Sequence, residues 1–64
     1  MPTNAQRDTA AVLAEAVRTR CVETAILAYE DAGIRGLCHE GRWELAVAAI
    51  RQLDLRALTG PGKE

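Results

Sequence analysis

The chain has 64 residues, and eight lysine and arginine side chains against nine aspartate and glutamate side chains give a net charge of −1. A chain of this length forms at most one domain and buries only about 60% of the surface that it exposes when unfolded. The near-neutral charge argues against a nucleic-acid-binding protein, which normally carries a strongly basic face. A deep substrate pocket is also hard to build in so small a chain, because such pockets need walls on most sides.

The first predicted element is a long helix over residues 4–38. This stretch is rich in alanine and contains neither glycine nor proline from Thr3 to Ala32, so good helix formers continue without a break. Thr3 and Gln6 have the spacing of a capping box at the N-terminus of this helix.

The C-terminal end of this helix has two candidate positions. Gly33 is one, because glycine adopts the left-handed conformation that follows many helices at no steric cost. Alternatively, the helix passes through Gly33 and continues to Glu40, with Gly41 as its stop. We expect a continuous or slightly kinked helix that reaches residues 38–40.

The second predicted helix covers residues 42–55. Gly41 can cap it, and Glu44 in its first turn interacts favourably with the positive end of the helix dipole. Apolar residues recur at intervals of three and four, which predicts one stripe that faces the first helix. The members of this stripe are Trp43, Ala46, Val47, Ile50 and Leu53. Because the chain ends in "TGPGKE", we expect a helical hairpin over residues 1–56 and a flexible tail over residues 57–64.

Small residues dominate the C-terminal half of the first helix's apolar face, and they allow two antiparallel helices to approach closely. We expect this half to pack against the second helix through Ala25, Tyr29, Ala32, Gly36 and Leu37. Trp43 is expected to fill the closed end of the hairpin near Leu37, with its indole N–H at the edge.

The unequal lengths of the two helices leave the N-terminal half of the first helix without cover. A second helix of about 13 residues spans roughly 20 Å, so it reaches back only to about residue 25. The uncovered apolar stripe consists of Ala10, Leu13, Ala14, Val17 and Cys21, and exposed apolar surfaces of this kind mark interaction sites. The sequence therefore predicts an all-α protein that forms a four-helix homodimer, or one that binds a different protein along this stripe.

The stretch 36–44, "GLCHEGRWE", brings a thiol, an imidazole and a carboxylate together in sequence. Consecutive residues of a helix point to different sides, so Cys38, His39 and Glu40 are not expected to converge on a metal ion or to form a nucleophile–base pair. Cys21 lies seventeen positions before Cys38, and we expect two free, reduced thiols. We therefore expect no catalytic residue, no metal and no cofactor.

Two stretches resemble known proteins. The segment "EGRWELAVAAI" is similar to the turn and second helix of a tetratricopeptide repeat, with matches at Gly41, Trp43, Ala46 and Val47. This resemblance implies a helical hairpin, and a single half-motif does not imply a repeat array. The core G-L-C-x-E-G-x-W-E also resembles that of small uncharacterised bacterial helical proteins, over less than half of the chain.

These features favour a cytoplasmic, non-enzymatic interaction or accessory module that acts as a homodimer. No apolar run approaches the ~18 residues of a membrane span, and the N-terminus lacks a secretory apolar core. The competing hypothesis is a small dimeric regulator that binds nucleic acid, with Arg18 and Arg20 brought together across the two-fold axis. Salt-sensitive binding to duplex DNA would distinguish this alternative. A redox role for either cysteine is left open.

Overall fold

The computed structural model describes the backbone of residues 4–59 and the side chains of residues 8–59. Its elements are helix α1 (Asn4–Ile34), helix α2 (His39–Arg51) and a 3-10 helix (Leu55–Ala57). α1 and α2 pack against each other, and no strand occurs between residues 4 and 59. The prediction of an all-α helical hairpin is confirmed. The predicted capping box lies outside the described residues.

α1 ends in a Schellman motif. The N–H of Leu37 donates to the carbonyl of Ala32 at 3.0 Å, and the N–H of Gly36 donates to the carbonyl of Gly33 at 3.0 Å. Gly36 has a φ of +88°, and a Cβ at this position would meet no atom within 4 Å. The backbone conformation, rather than lack of space, therefore favours glycine here. The prediction of a helix that reaches residues 38–40 is wrong, and Gly36 rather than Gly33 is the glycine that terminates it.

α2 begins three residues before the predicted start. Cys38 is its N-cap, with an extended backbone and no side-chain capping bond, and the Cys38 carbonyl accepts a hydrogen bond from the N–H of Arg42 at 2.9 Å. Gly41 lies inside the first turn and is not the cap. A Cβ on Gly41 would lie 3.2 Å from Cδ2 of Leu37, so this glycine allows Leu37 to pack closely over the start of α2.

α2 ends at Arg51, earlier than the predicted residue 55. The next residue, Gln52, closes the helix by donating its N–H to the carbonyl of Ala48 at 3.0 Å. Leu53 and Asp54 then depart from helical geometry before the short 3-10 helix.

The 3-10 helix was not anticipated from the sequence. Asp54 is its N-cap, and the Asp54 carboxylate accepts a hydrogen bond from the N–H of Arg56 at 3.1 Å. The hydroxyl of Thr59 donates to the carbonyl of Arg56 at 3.1 Å. Of the predicted flexible tail, Ala57 belongs to the 3-10 helix, residues 58 and 59 form a turn and a bend, and the rest lies outside the described residues.

The hairpin is long, thin and sparsely buried. Its extents are 49 × 23 × 15 Å and its radius of gyration is 15.5 Å, against about 11 Å for a compact chain of this length. Among the described residues, the buried hydrophobic side chains are Ala32, which is fully buried, and Ala46, which is 5% exposed. The core is therefore a contact between small side chains of the two helices. Within the described part of the chain, neither helix is long and apolar enough to cross a membrane.

Candidate functional site

The closed end of the hairpin is filled by Arg42. The Arg42 Nε donates a hydrogen bond to the carbonyl of Leu37 at 3.0 Å, and the guanidinium carbon lies 5.9 Å from the centre of the Tyr29 ring. A Cβ on Gly33 would lie only 3.2 Å from the guanidinium, so glycine at this position leaves room for the arginine. We call Tyr29, Leu37, His39 and Arg42 the hinge cluster.

A second contact of the hinge cluster joins α1 to the first residue of α2. The Tyr29 hydroxyl lies 2.9 Å from Nδ1 of His39, and the two rings meet edge to face with centroids 5.9 Å apart. The hydroxyl donates to Nδ1 when the ring proton of the neutral histidine is on Nε2. Tyr29 is half-buried and His39 is exposed, and we interpret this contact as one that fixes the angle of the hinge.

Trp43 does not fill the closed end, and the prediction of a tryptophan plug there is wrong. Its side chain is 64% exposed, and it lies on the outside of α2. The predicted helix face was rotated by about one residue position, because α2 turns the small residues Ala46 and Ala49 inward rather than its largest apolar side chain. Small inward residues allow the two helix backbones to approach, whereas an indole would hold them apart.

The side chains expected to pack in the hairpin therefore fall into three groups. Ala32 and Ala46 are buried, and the half-buried members are Ala25, Tyr29, Leu37, Val47 and Leu53. The exposed members are Gly36, Trp43 and Ile50. On one side of the hairpin the helices form an open groove of about 230 Å³, lined by Ala28, Asp31, Arg35, Leu45, Ala48, Ala49 and Gln52.

The outer face of α2 carries an apolar stripe that the chain leaves uncovered. We call Trp43, Val47 and Ile50 the outer α2 stripe; Trp43 is 64% exposed, Ile50 is 38% exposed and Val47 is half-buried. A shallow hollow of about 270 Å³ lies beside it, lined by Trp43, Glu44, Val47, Ala48 and Arg51. Such a hollow is too open to enclose a small molecule, and it has the character of a docking surface.

The N-terminal stripe predicted as an interface is less exposed than the outer α2 stripe. Leu13, Val17 and Cys21 are half-buried, while Ala10 and Ala14 are exposed. The large apolar side chains of α1 that are most exposed lie elsewhere: Val12, Val22, Ile26, Leu27 and Ile34, with exposures from 50% to 86%. None of these residues was predicted from the sequence as part of the interface.

The residues considered for chemistry are not gathered into a site. Cys21 is half-buried, Cys38 is exposed, and both are free thiols. Among the described residues, no group of three histidine, cysteine or acidic side chains is placed to hold a metal ion. Arg18 lies 3.6 Å from Glu15 in an exposed ion pair, and Arg20 is exposed on another side of the helix.

Comparison with known proteins does not assign a function. No family model, curated protein or solved structure matches this chain. The physical character of its own surface is therefore the basis for a functional proposal.

Proposed function

We propose that this chain is a non-enzymatic protein–protein interaction module that acts as a homodimer. The observation that carries this proposal is the amount of surface that the hairpin leaves uncovered. Its accessible surface is 5147 Å², whereas a compact protein of the same mass exposes about 4,000 Å². The excess is on the order of 1,100 Å², which exceeds the ~800 Å² that each partner buries in a standard interface.

The kind of surface supports the same proposal. Eight large hydrophobic side chains between Val12 and Leu55 are exposed, although a single exposed leucine or valine is normal in a soluble protein. Here they occur beside a core in which, among the described residues, the two buried hydrophobic side chains are both alanine. A hairpin with so small a core gains stability when a second molecule covers its apolar faces.

A second copy of the chain is the simplest partner, because two hairpins stacked on each other make a four-helix arrangement with one shared core. In a closed two-fold dimer, each molecule also covers the same surface of the other molecule. The sequence alternative, a regulator that binds nucleic acid through Arg18 and Arg20, gains no comparable support, since Arg18 already faces Glu15.

The test is the mass of the intact chain in solution. We expect sedimentation equilibrium between about 1 and 100 µM to give twice the chain mass, with dissociation on dilution, as for a micromolar complex. A single species with the monomer mass and full helical circular dichroism across this range would contradict the proposal.

A further inference from the structure

We infer that two copies of this chain pair through the outer α2 stripe, with their α2 helices antiparallel. The inference rests on the homodimer proposed above and identifies the surface and orientation of the contact. It follows from three features of α2: the spacing of its exposed apolar residues, the order of the charges beside them, and the size of the surface left uncovered.

The spacing of the outer α2 stripe fits the contact seam of paired helices. Trp43, Val47 and Ile50 are separated by four and then three residues, the alternation found at the core positions of helices that pack side by side. Trp43 is 64% exposed, and tryptophan is among the residues that contribute most to binding when an interface buries it. In one chain this seam faces solvent, because α2 turns Ala46 and Ala49 toward α1.

The charges beside the seam favour antiparallel pairing of two identical helices. Glu44 lies three residues before Val47 and Arg51 lies four residues after it, and both are exposed. Within the described residues, neither side chain has an ion-pair partner in its own chain. An antiparallel pair centred near Val47 places Glu44 of each copy beside Arg51 of the other copy. A parallel pair would instead place Glu44 beside Glu44 of the second copy and Arg51 beside Arg51 of the second copy. Both contacts would join like charges, which is unfavourable.

The charges farther from the centre do not reverse this preference. Glu40, at the start of α2, would come nearest to Asp54 of the second copy. Asp54 lies beyond the end of α2, where Arg56 of the same chain approaches it at 3.8 Å. The two Glu44–Arg51 contacts therefore lie closer to the seam than this approach of like charges.

The uncovered area of the whole hairpin is large enough for an interface with a second copy. The hairpin exposes on the order of 1,100 Å² more than a compact protein of its mass. A stable two-fold interface of standard size removes about 800 Å² from each molecule. Glu44 and Arg51, the two members of the complementary charge pair, both lie beside the outer α2 stripe, so one surface is sufficient to recognise itself.

The first experiment compares Trp43→Glu with Val17→Glu in the intact chain. Trp43 is mostly exposed, so its substitution should leave the helical circular dichroism of the hairpin unchanged and raise the dimer dissociation constant roughly 30-fold. Val17→Glu introduces the same charge in the N-terminal stripe and should leave the dissociation constant within about threefold of wild type.

The outcomes of this experiment separate the two proposals. If the wild-type chain is a monomer, the proposed function itself fails. If the wild-type chain is a dimer that Val17→Glu dissociates and Trp43→Glu does not, the homodimer stands and the inferred surface is wrong. The contact would then be the N-terminal stripe predicted from the sequence.

The second experiment tests the orientation by reversing charges. Glu44→Arg and Arg51→Glu each place like charges together in their own homodimers, so each variant should dimerise about tenfold more weakly than wild type. Mixing the two variants restores opposite charges at both contacts, so the mixed dimer should form with nearly wild-type affinity in sedimentation equilibrium. An antiparallel contact is distinguished by the comparison with wild type: both variants dimerise more weakly than wild type, and their mixture recovers the wild-type affinity. In a parallel pair each variant alone would dimerise about as tightly as wild type, and the mixture would be tighter than wild type.

The matched control uses Glu23→Arg and Arg20→Glu, which make the same charge changes at exposed positions of α1. Mixing these two variants should change nothing. If the mixture of Glu44→Arg and Arg51→Glu associates no more tightly than either variant alone, the antiparallel pairing is wrong.

Discussion

The two ends of α1 have different surroundings in the same chain. At the C-terminal end, the Schellman motif around Gly36, the Tyr29–His39 contact and the Arg42 guanidinium fasten α1 to α2. Over residues 8–20, the side-chain ion pair that the structure shows is the exposed one between Glu15 and Arg18, at 3.6 Å. One end of the helix is therefore held by tertiary contacts, and the other depends mainly on its own helical propensity.

This difference indicates where the stability of the hairpin lies. A 31-residue helix is about 46 Å long, whereas the 13 residues of α2 cover about 20 Å of it. Isolated helices are marginal in water even when they are rich in alanine. We therefore expect substitutions near the hinge cluster to reduce the free energy of unfolding more than equivalent substitutions over residues 8–20. The following comparisons are made at one protein concentration, since dimer formation also contributes to apparent stability.

The largest effect is expected from Ala46→Leu. Ala46 is 5% exposed between the two helices, so three added carbon atoms force the helices apart. We expect a loss of about 2–3 kcal/mol in the free energy of unfolding, measured by urea denaturation. The matched control is Ala16→Leu on the exposed surface of α1, which should change the value by less than about 0.5 kcal/mol. Equal losses in the free energy of unfolding at Ala46 and Ala16 would contradict the expectation that tertiary contacts stabilise mainly the C-terminal end of α1.

A smaller loss is expected from Gly36→Ala. Gly36 has a φ of +88°, and an added methyl group would meet no atom within 4 Å. The cost is therefore one of backbone conformation, about 1–2 kcal/mol in thermal or urea unfolding. Gly36→Asn should cost less than alanine, because asparagine tolerates the left-handed region better. A stable alanine variant would show that the hinge does not depend on this conformation.

The third comparison is between Arg42, which belongs to the hinge cluster, and Arg18, which lies in the N-terminal half of α1. Arg42→Gln removes the bond from Nε to the Leu37 carbonyl and the contact with the Tyr29 ring, and we expect a loss of about 1 kcal/mol. Arg18→Gln removes an exposed ion pair at 3.6 Å and should cost almost nothing. If Arg18→Gln costs as much in urea denaturation, the comparison between the two ends fails.

The smallest effect is expected at the Tyr29–His39 contact. Tyr29→Phe removes an exposed hydrogen bond of 2.9 Å and should cost about 0.5 kcal/mol. A double-mutant cycle with His39→Ala isolates this contact, and its coupling energy should be near the same value. A coupling energy of zero would mean that the hinge angle is set by Arg42 and the Schellman motif alone.

The sequence was sufficient to predict the helices and the hairpin, because their signals are local. An unbroken run of helix-forming residues to Ala32 requires no knowledge of the partner helix. The length mismatch between the two helices follows from the same count of residues. These properties depend on backbone propensity, which neighbouring residues determine.

The turn between the two helices was harder to predict, because Gly33, Gly36 and Gly41 all lie within nine residues and each can end or cap a helix. In the structure, Gly36 is the glycine that terminates α1. The N–H groups of Gly36 and Leu37 donate hydrogen bonds to carbonyls in the last turn of the helix. Gly33 and Gly41 serve instead as gaps for Arg42 and Leu37. These roles depend on which side chains approach in space, and sequence spacing alone does not contain that information.

The inward face of α2 was predicted only in part, for a related reason. Hydrophobic periodicity assigns the largest apolar side chain to the core, and this rule chose Trp43. Of the predicted stripe, Ala46 is buried and Trp43 is 64% exposed, because close packing of two helices favours the smaller side chain between them. The role of Arg42 was missed because a charged residue at the start of a helix normally indicates solvent. The apolar stripe of α2 is wider than contact with one helix requires. This width is the signal that could have revealed a second surface.

The position of Trp43 has an optical consequence. It is the only tryptophan of the chain, and with 64% of its surface exposed its indole is mostly in contact with water. Pairing through the outer α2 stripe would move the indole into an apolar environment, so its emission maximum should shift to shorter wavelength as the protein concentration rises. The intact, unlabelled chain thus contains its own fluorescent reporter of self-association.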